Sequence, residues 1–268
     1  MPLKGLCDVE DSICFDGAAE LAVCFQGLYF TNTLAKKIQP NWARGTMMRD
    51  YVHTMTGRGV LSLVRPLVLA SASPRRRAFL QEMGIACEMV SPPEDAEPLP
   101  QPTEEPEAFA ARAARMKAES VLALDGSRAG GASVKGAAIL GADTIVALDG
   151  AILGKPRDEK EAFAFVQRLA GKEHHVYTAC CLLLPGGGCE VFAAGAVVRM
   201  GSWPESVLRA YAASGEGLDK AGGYAVQGHG AFLVERVTGS WSAVVGLPVA
   251  ETVAALLRHG IIAPAPQG

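Results

Sequence analysis

Ser71-Ala72-Ser73-Pro74-Arg75-Arg76-Arg77 places hydroxyls and guanidinium groups where a strand gives way to a helix. Ser73 is a good helix N-cap and Pro74 suits the first helical position. Free backbone N–H groups and the positive end of the helix dipole then point at one spot. Arginines in that turn oppose the dipole, so a run of them implies an anion partner. The plainer alternative is a capped helix with solvated arginines. Asp143 interrupts the apolar stretch Ile139–Leu148. An unpaired buried carboxylate is costly, so it calls for a metal, a cation or strong donors. Otherwise the strand emerges at Gly141 and leaves Asp143 exposed. Lys155 follows the Asp149-Gly150 turn, and an antiparallel return brings it toward Asp143; alone, it reads as a solvated lysine. Asp219 to Gly228 (DKAGGYAVQG) allows close backbone approach to a ligand. It matches neither a P-loop nor a dinucleotide fingerprint. Glu94, Asp95 and Glu97 lie in an acidic loop, where solvated carboxylates are the default. No H-x-x-x-H metal box and no G-x-S-x-G nucleophile elbow occurs.

The elements that must position these residues follow from periodicity. Leu67–Ala70 reads as a buried strand, and the helix after Ser73 ends at Gly84. Residues 91–106 form a Pro- and acid-rich loop, and a helix follows from about Glu105 to Leu124 with Phe109, Ala113, Met116 and Leu122 on one side. Residues 125–136 read as a loop. A strand to Leu148 turns at Asp149-Gly150 and returns through Leu153, ahead of a helix from Arg157 to Ala170. Strands are expected at 175–184 and 190–200, a short helix after Ser202, strands near 231–238 and 242–246, and a last helix opening at Pro248. Adjacent His174 and His175 face opposite sides of their strand. Interleaved strands and helices predict an α/β fold, and the hairpin makes its sheet mixed. Residues 1–64 show no sustained period and read as an N-terminal extension without assigned function, disordered, accessory or a start-site artefact; residues 65–268 carry the regular pattern.

Composition narrows the classes. The 268 residues are 49% hydrophobic and 20% charged, enough for a sizeable core. The net charge of −3 and 6% aromatic content speak against a nucleic-acid binder. No apolar run is long enough for a membrane span and no secretory signal is evident, so a cytoplasmic protein is expected. The 7 cysteines form neither C-x-x-C nor a disulfide framework, consistent with free thiols.

LASASPRR (69–76), GADTIV (141–146), Gly154-Lys155-Pro156, His175-Val176-Tyr177-Thr178, LDKAGGYAVQG (218–228) and GSWSAVVGLP (239–248) occur in one order. Together they resemble the Maf family of nucleoside triphosphate pyrophosphatases over about residues 66–260. The resemblance implies an elongated mixed sheet flanked by helices, with two lobes around a deep nucleotide-binding cleft. It implies cleavage of a nucleoside triphosphate between the α and β phosphates, with a divalent cation, Mg²⁺ or Mn²⁺. Asp143 matches the proton acceptor that activates water. Arg75, Thr144 and Gln227 match positions linked to substrate choice, while Ser73, Arg76 and Lys155 match phosphate-side positions. A loop carboxylate that joins Asp143 at the metal is assigned to Glu97, with Asp95 one alternative. Gln227 within DKAGGYAVQG is similar to the dTTP/UTP-preferring subgroup. A side-chain amide offers the donor and acceptor that a pyrimidine edge requires. A homodimer is implied, with neither nucleic acid nor membrane as partner. The competing class is a nucleotide-sensing regulator of cell division that acts through partner binding.

Overall fold

The computed structural model describes residues 24–25, 28–29, 59–93, 96, 98–124, 134 and 136–266. Contacts divide the chain into Met1–Gly57 and Arg58–Gly268. In the first unit, β1 (Cys24–Phe25) pairs antiparallel with β2 (Leu28–Tyr29). The second unit opens with β3 (Leu61–Leu63), which pairs with the C-terminal β11 (Ile262–Pro264).

Its main sheet contains β4 (Leu67–Ala70), β5 (Glu88–Met89), β6 (Ala138–Leu148), β7 (Ala151–Leu153), β8 (Glu173–Leu183), β9 (Cys189–Met200) and β10 (Val234–Gly239). The order is β10-β9-β8-β6-β4-β5, with β7 added on β6. β4 runs parallel to β5 and β6, and the other pairings are antiparallel. All residues of β4 are buried, as a strand covered on both faces requires. The helices are α1 (Pro74–Glu82), α2 (Pro106–Leu122), α3 (Glu159–Leu169), α4 (Glu205–Ala213), α5 (Trp241–Val245) and α6 (Val249–Arg258). The expected α/β class, with a mixed sheet flanked by helices, is what the chain forms.

Side chains alternate across β6 and sort the core. On one face, Ile139 and Ile145 pack with Phe109, Ala110, Ala114 and Ala118 of α2. On the other, Ala138, Leu140 and Ala142 join Leu80 of α1 and Leu256 of α6. Further along that same face, Val146 and Leu148 join Val166 of α3 and Leu208 of α4 in a separate cluster. Between those two clusters Thr144 sits directly across from Thr178 of β8.

Two local expectations change. Where the sequence predicts a strand near 242–246, residues 241–245 form α5: the Ser240 hydroxyl accepts from Ala243 N–H at 3.3 Å, and Gly246 ends the helix at φ 127°. The Val244-Val245 run favours a strand by propensity, but cap and stop override it. On α2 the buried residues are Phe109, Ala110, Ala113, Ala114, Lys117, Ala118 and Val121, so the expected Phe109 and Ala113 face inward while Leu122 is 54% exposed. Glu94, Asp95, Glu97 and most of the 125–136 loop lie outside the described residues.

Candidate active site

The site begins as an opening in the sheet. β4 pairs with β6 as far as Ala70↔Gly141, and β7 joins the same edge only from Val146↔Leu153. Among the described residues no strand covers that edge at residues 142–145. A cleft of about 820 Å³ opens there, at the carboxyl end of a parallel strand and the start of α1. Ser73, Arg75, Arg76, Asp143, Thr144, Lys155 and Gln227 all line it. The structure thus brings together every candidate side chain except Glu97, which lies outside the described residues.

Asp143 forms the floor, on the α2 face. Its Oδ1 accepts from Lys117 Nζ at 2.5 Å, and the two side chains are only 14% and 11% exposed. A lysine is nearly buried on the stripe of α2 because it reaches this carboxylate. The approach depends on Gly141: a Cβ there would lie 2.3 Å from the Ala114 carbonyl oxygen. Lys117 is a cleft side chain that sequence reasoning missed. Its signal was a lysine four residues after Ala113 and four before Val121, inside an apolar stripe. Lys155 continues the β7 return toward the residue beside Asp143, at the rim of the same cleft.

Arg76 frames one wall. Its Nε donates to Gly246 O at 2.7 Å, and Nη1 donates to Ser71 Oγ at 3.1 Å and Ala142 O at 2.9 Å. Nη2 donates to Thr144 Oγ1 at 3.0 Å. Thr178 Oγ1 donates to Ala243 O at 2.6 Å, so the 2.8 Å contact between the threonines runs from Thr144 as donor. The planar guanidinium therefore ties the end of β4, the open edge of β6 and the end of α5 together. Ser73 caps α1 by position but not by side chain; its N–H instead donates to Ser71 Oγ at 3.1 Å.

The segment from 216 to 230 forms the other wall. Arg75 Nη1 donates to Asp219 Oδ2 at 3.4 Å, and Lys220 Nζ donates to Asp219 Oδ1 at 2.5 Å. Burial raises the Asp219 carboxyl, but Lys220 and Arg75 outweigh it and hold the group below its ordinary range. Below the loop, His174 Nε2 and Tyr224 Oη lie 2.7 Å apart, with His174 only 1% exposed. Burial, helped by the charge on His175, lowers the His174 pKa to about 4. Gln227 is exposed at the cleft wall.

A family profile described as Maf-like protein matches residues 66–259. A dTTP/UTP pyrophosphatase of Nitratidesulfovibrio vulgaris is 49% identical over 207 residues, 77% of this chain and 94% of that protein. One from Oleidesulfovibrio alaskensis is 46% identical over 201 residues, 74% of this chain and 87% of its own. A solved nucleoside-triphosphatase / dITP/XTP pyrophosphatase of Mycobacterium abscessus aligns with 17% identity over 73% of this chain and 94% of its own, at a TM-score of 0.34.

Proposed function

The chain belongs to the Maf-like protein family, and on that premise we propose that it hydrolyses dTTP and UTP to the nucleoside monophosphate and pyrophosphate in the Asp143 cleft. One observation carries the reading: a carboxylate held by a buried lysine on the floor of a cleft whose walls present Arg75, Lys155 and Lys220. Relatives named dTTP/UTP pyrophosphatase support the substrate class.

The triphosphate lies along the cationic walls, where Arg75 and Lys155 neutralise phosphate charge and Ser73 offers a hydroxyl near the start of α1. Asp143 takes a proton from a water whose oxygen forms the new bond to the α-phosphorus. The bridging α–β P–O bond breaks and pyrophosphate leaves. Lys117 fixes the carboxylate in one orientation, so little reorganisation is needed during attack. Arg76 and Thr144 hold the edge on which Asp143 sits, and Gln227 reads the pyrimidine edge with its amide.

Among the described residues no three His, Cys, Asp or Glu side chains gather as a metal-binding group. Mg²⁺ commonly takes one or two carboxylates and completes its shell with water and phosphate oxygens. Asp143 fits that demand, with Glu97 as the proposed second carboxylate; Mg²⁺ or Mn²⁺, when bound, supplies charge neutralisation on the phosphates. On this reading the enzyme works as a cytoplasmic homodimer; no helix of the described residues is long and apolar enough to cross a membrane.

The test is pyrophosphate release from dTTP, UTP, CTP, GTP and methyl-GTP with Mg²⁺ or Mn²⁺, wild type beside Asp143→Asn. Preferential turnover of dTTP and UTP is expected, reduced roughly 10²–10⁴-fold in the variant with nucleotide binding retained. Preference for methyl-GTP would remove the pyrimidine assignment. Absence of turnover on every nucleotide would remove the enzymatic one.

A further inference from the structure

A base-reading amide on a loop discriminates only if its backbone is held to a fraction of an ångström. Gln227 lies in such a loop, between Tyr224 and the short 3₁₀ turn Gly228–Leu233. Three N–H groups around it are satisfied by side chains that lie earlier in the chain. Ala225 N–H donates to Tyr211 Oη at 3.0 Å. His229 N–H donates to Glu216 Oε1 at 2.8 Å, and Gly230 N–H to Glu216 Oε2 at 2.7 Å. The Tyr211 hydroxyl thus serves as acceptor for Ala225, and the Glu216 carboxylate as acceptor for both residues after Gly228. Tyr211 and Glu216 together therefore grip the chain two residues before Gln227 and two and three residues after it.

The glycines show how closely that pair sits. A Cβ at position 228 would lie 2.3 Å from Glu216 Oε1, and Gly228 has φ +67°. A Cβ at position 230 would lie 2.4 Å from Ala225 O and 2.8 Å from Tyr211 Oη. Only glycine leaves room for the grip at either place. Burial raises the Glu216 carboxyl, but the His229 and Gly230 amides and Tyr211 outweigh it and keep it below its ordinary range. It is thus an acceptor at neutral pH. Tyr211 is buried in the last turn of α4, and Glu216 follows three residues after that helix.

We propose that Tyr211 and Glu216 are positioning residues for nucleobase selection, transmitting the placement of α4 to Gln227. The inference rests on the reading above in which Gln227 contacts the base. Helix α4 then sets specificity without lending a side chain to the base.

The experiment uses the full chain as wild type, Gln227→Glu, Tyr211→Phe and Glu216→Gln. It measures kcat and KM for dTTP, UTP, CTP and GTP, with thermal unfolding alongside. Tyr211→Phe and Glu216→Gln are expected to raise KM for dTTP and UTP about tenfold, the effect of losing one strong hydrogen bond. Their kcat should stay within about threefold, and the preference for dTTP over GTP should fall in step with KM. A Gln227→Glu protein with altered preference, beside grip variants with the wild-type preference, overturns the inference and spares the role of Gln227. An unaltered preference in Gln227→Glu removes that role, and the inference with it. Equal losses on all nucleotides in the grip variants mean a merely structural contact and also overturn it. Should Tyr211→Phe fail to fold, Glu216→Gln, on a half-buried side chain at the end of α4, decides alone.

Discussion

The two walls of the cleft are built by different means. The Ser71–Arg76 wall is framed by one guanidinium that bonds the backbone of β6, the backbone at the end of α5 and two hydroxyls. None of those acceptors titrates near neutral pH. The 216–230 wall is held by side chains: Tyr211 of α4 and His174 of β8 from other elements, and Glu216 and Tyr224 from the segment itself. A frame anchored on backbone carbonyls places phosphate chemistry rigidly. A loop anchored on side chains can be retuned by one substitution, which suits the wall assigned to the base.

Three changes break that comparison at different depths. Lys117→Met acts beneath both walls. It leaves the Asp143 carboxylate almost buried without its lysine, at a cost of roughly 3–5 kcal/mol for a fully buried pair and somewhat less here. Turnover should fall about 10²–10⁴-fold, measured by pyrophosphate release, with denaturant unfolding as the second readout.

Lowering the pH acts on the loop wall. His174 has a folded pKa of about 4 against 6.5 for the free side chain. Between those values the unfolded chain binds the proton and the folded chain does not. The contribution is therefore fully present above about pH 6.5 and is lost as pH falls toward 4, on the order of 3 kcal/mol in all. Denaturant midpoints at pH 7 and pH 4.5, compared between wild type and His174→Gln, check it. The variant should lack most of this pH dependence.

Arg76→Lys acts on the frame wall and should have the smallest effect on stability. A lysine cannot reproduce the planar fork, so Thr144 Oγ1 and at least one backbone carbonyl lose their donor. About 1–2 kcal/mol of stability should be lost, read as a lower Tm, with kcat reduced on all nucleotides alike. A selective loss on pyrimidines would contradict the division between the walls.

Much of the site was legible because its signals are local. Ser73-Pro74 marks a helix start whatever surrounds it, and a carboxylate inside Ile139–Leu148 must be explained wherever the strand lies. The Asp149-Gly150 turn set the antiparallel return that carries Lys155 to the cleft. Arg76 shows the limit. The motif gives it a phosphate-side place, and Arg76 does line the cleft, but the motif does not tell that its guanidinium also takes Gly246 O, Ala142 O and two hydroxyls as acceptors. Those acceptors are up to 170 residues away along the chain, beyond anything a motif encodes.

By itself, then, the sequence determined the α/β class, most strands and helices, and the residue types converging on the cleft. Periodicity, caps and turns act over a few residues, so they are written where they operate. Only the tertiary structure decided which partner each charge takes. Lys117 meets Asp143 because Gly141 lets α2 approach within reach, and Glu216 meets the Gln227 loop because Gly228 and Gly230 leave room. Those pairings depend on packing distances between elements far apart in the chain, which propensity and spacing do not contain.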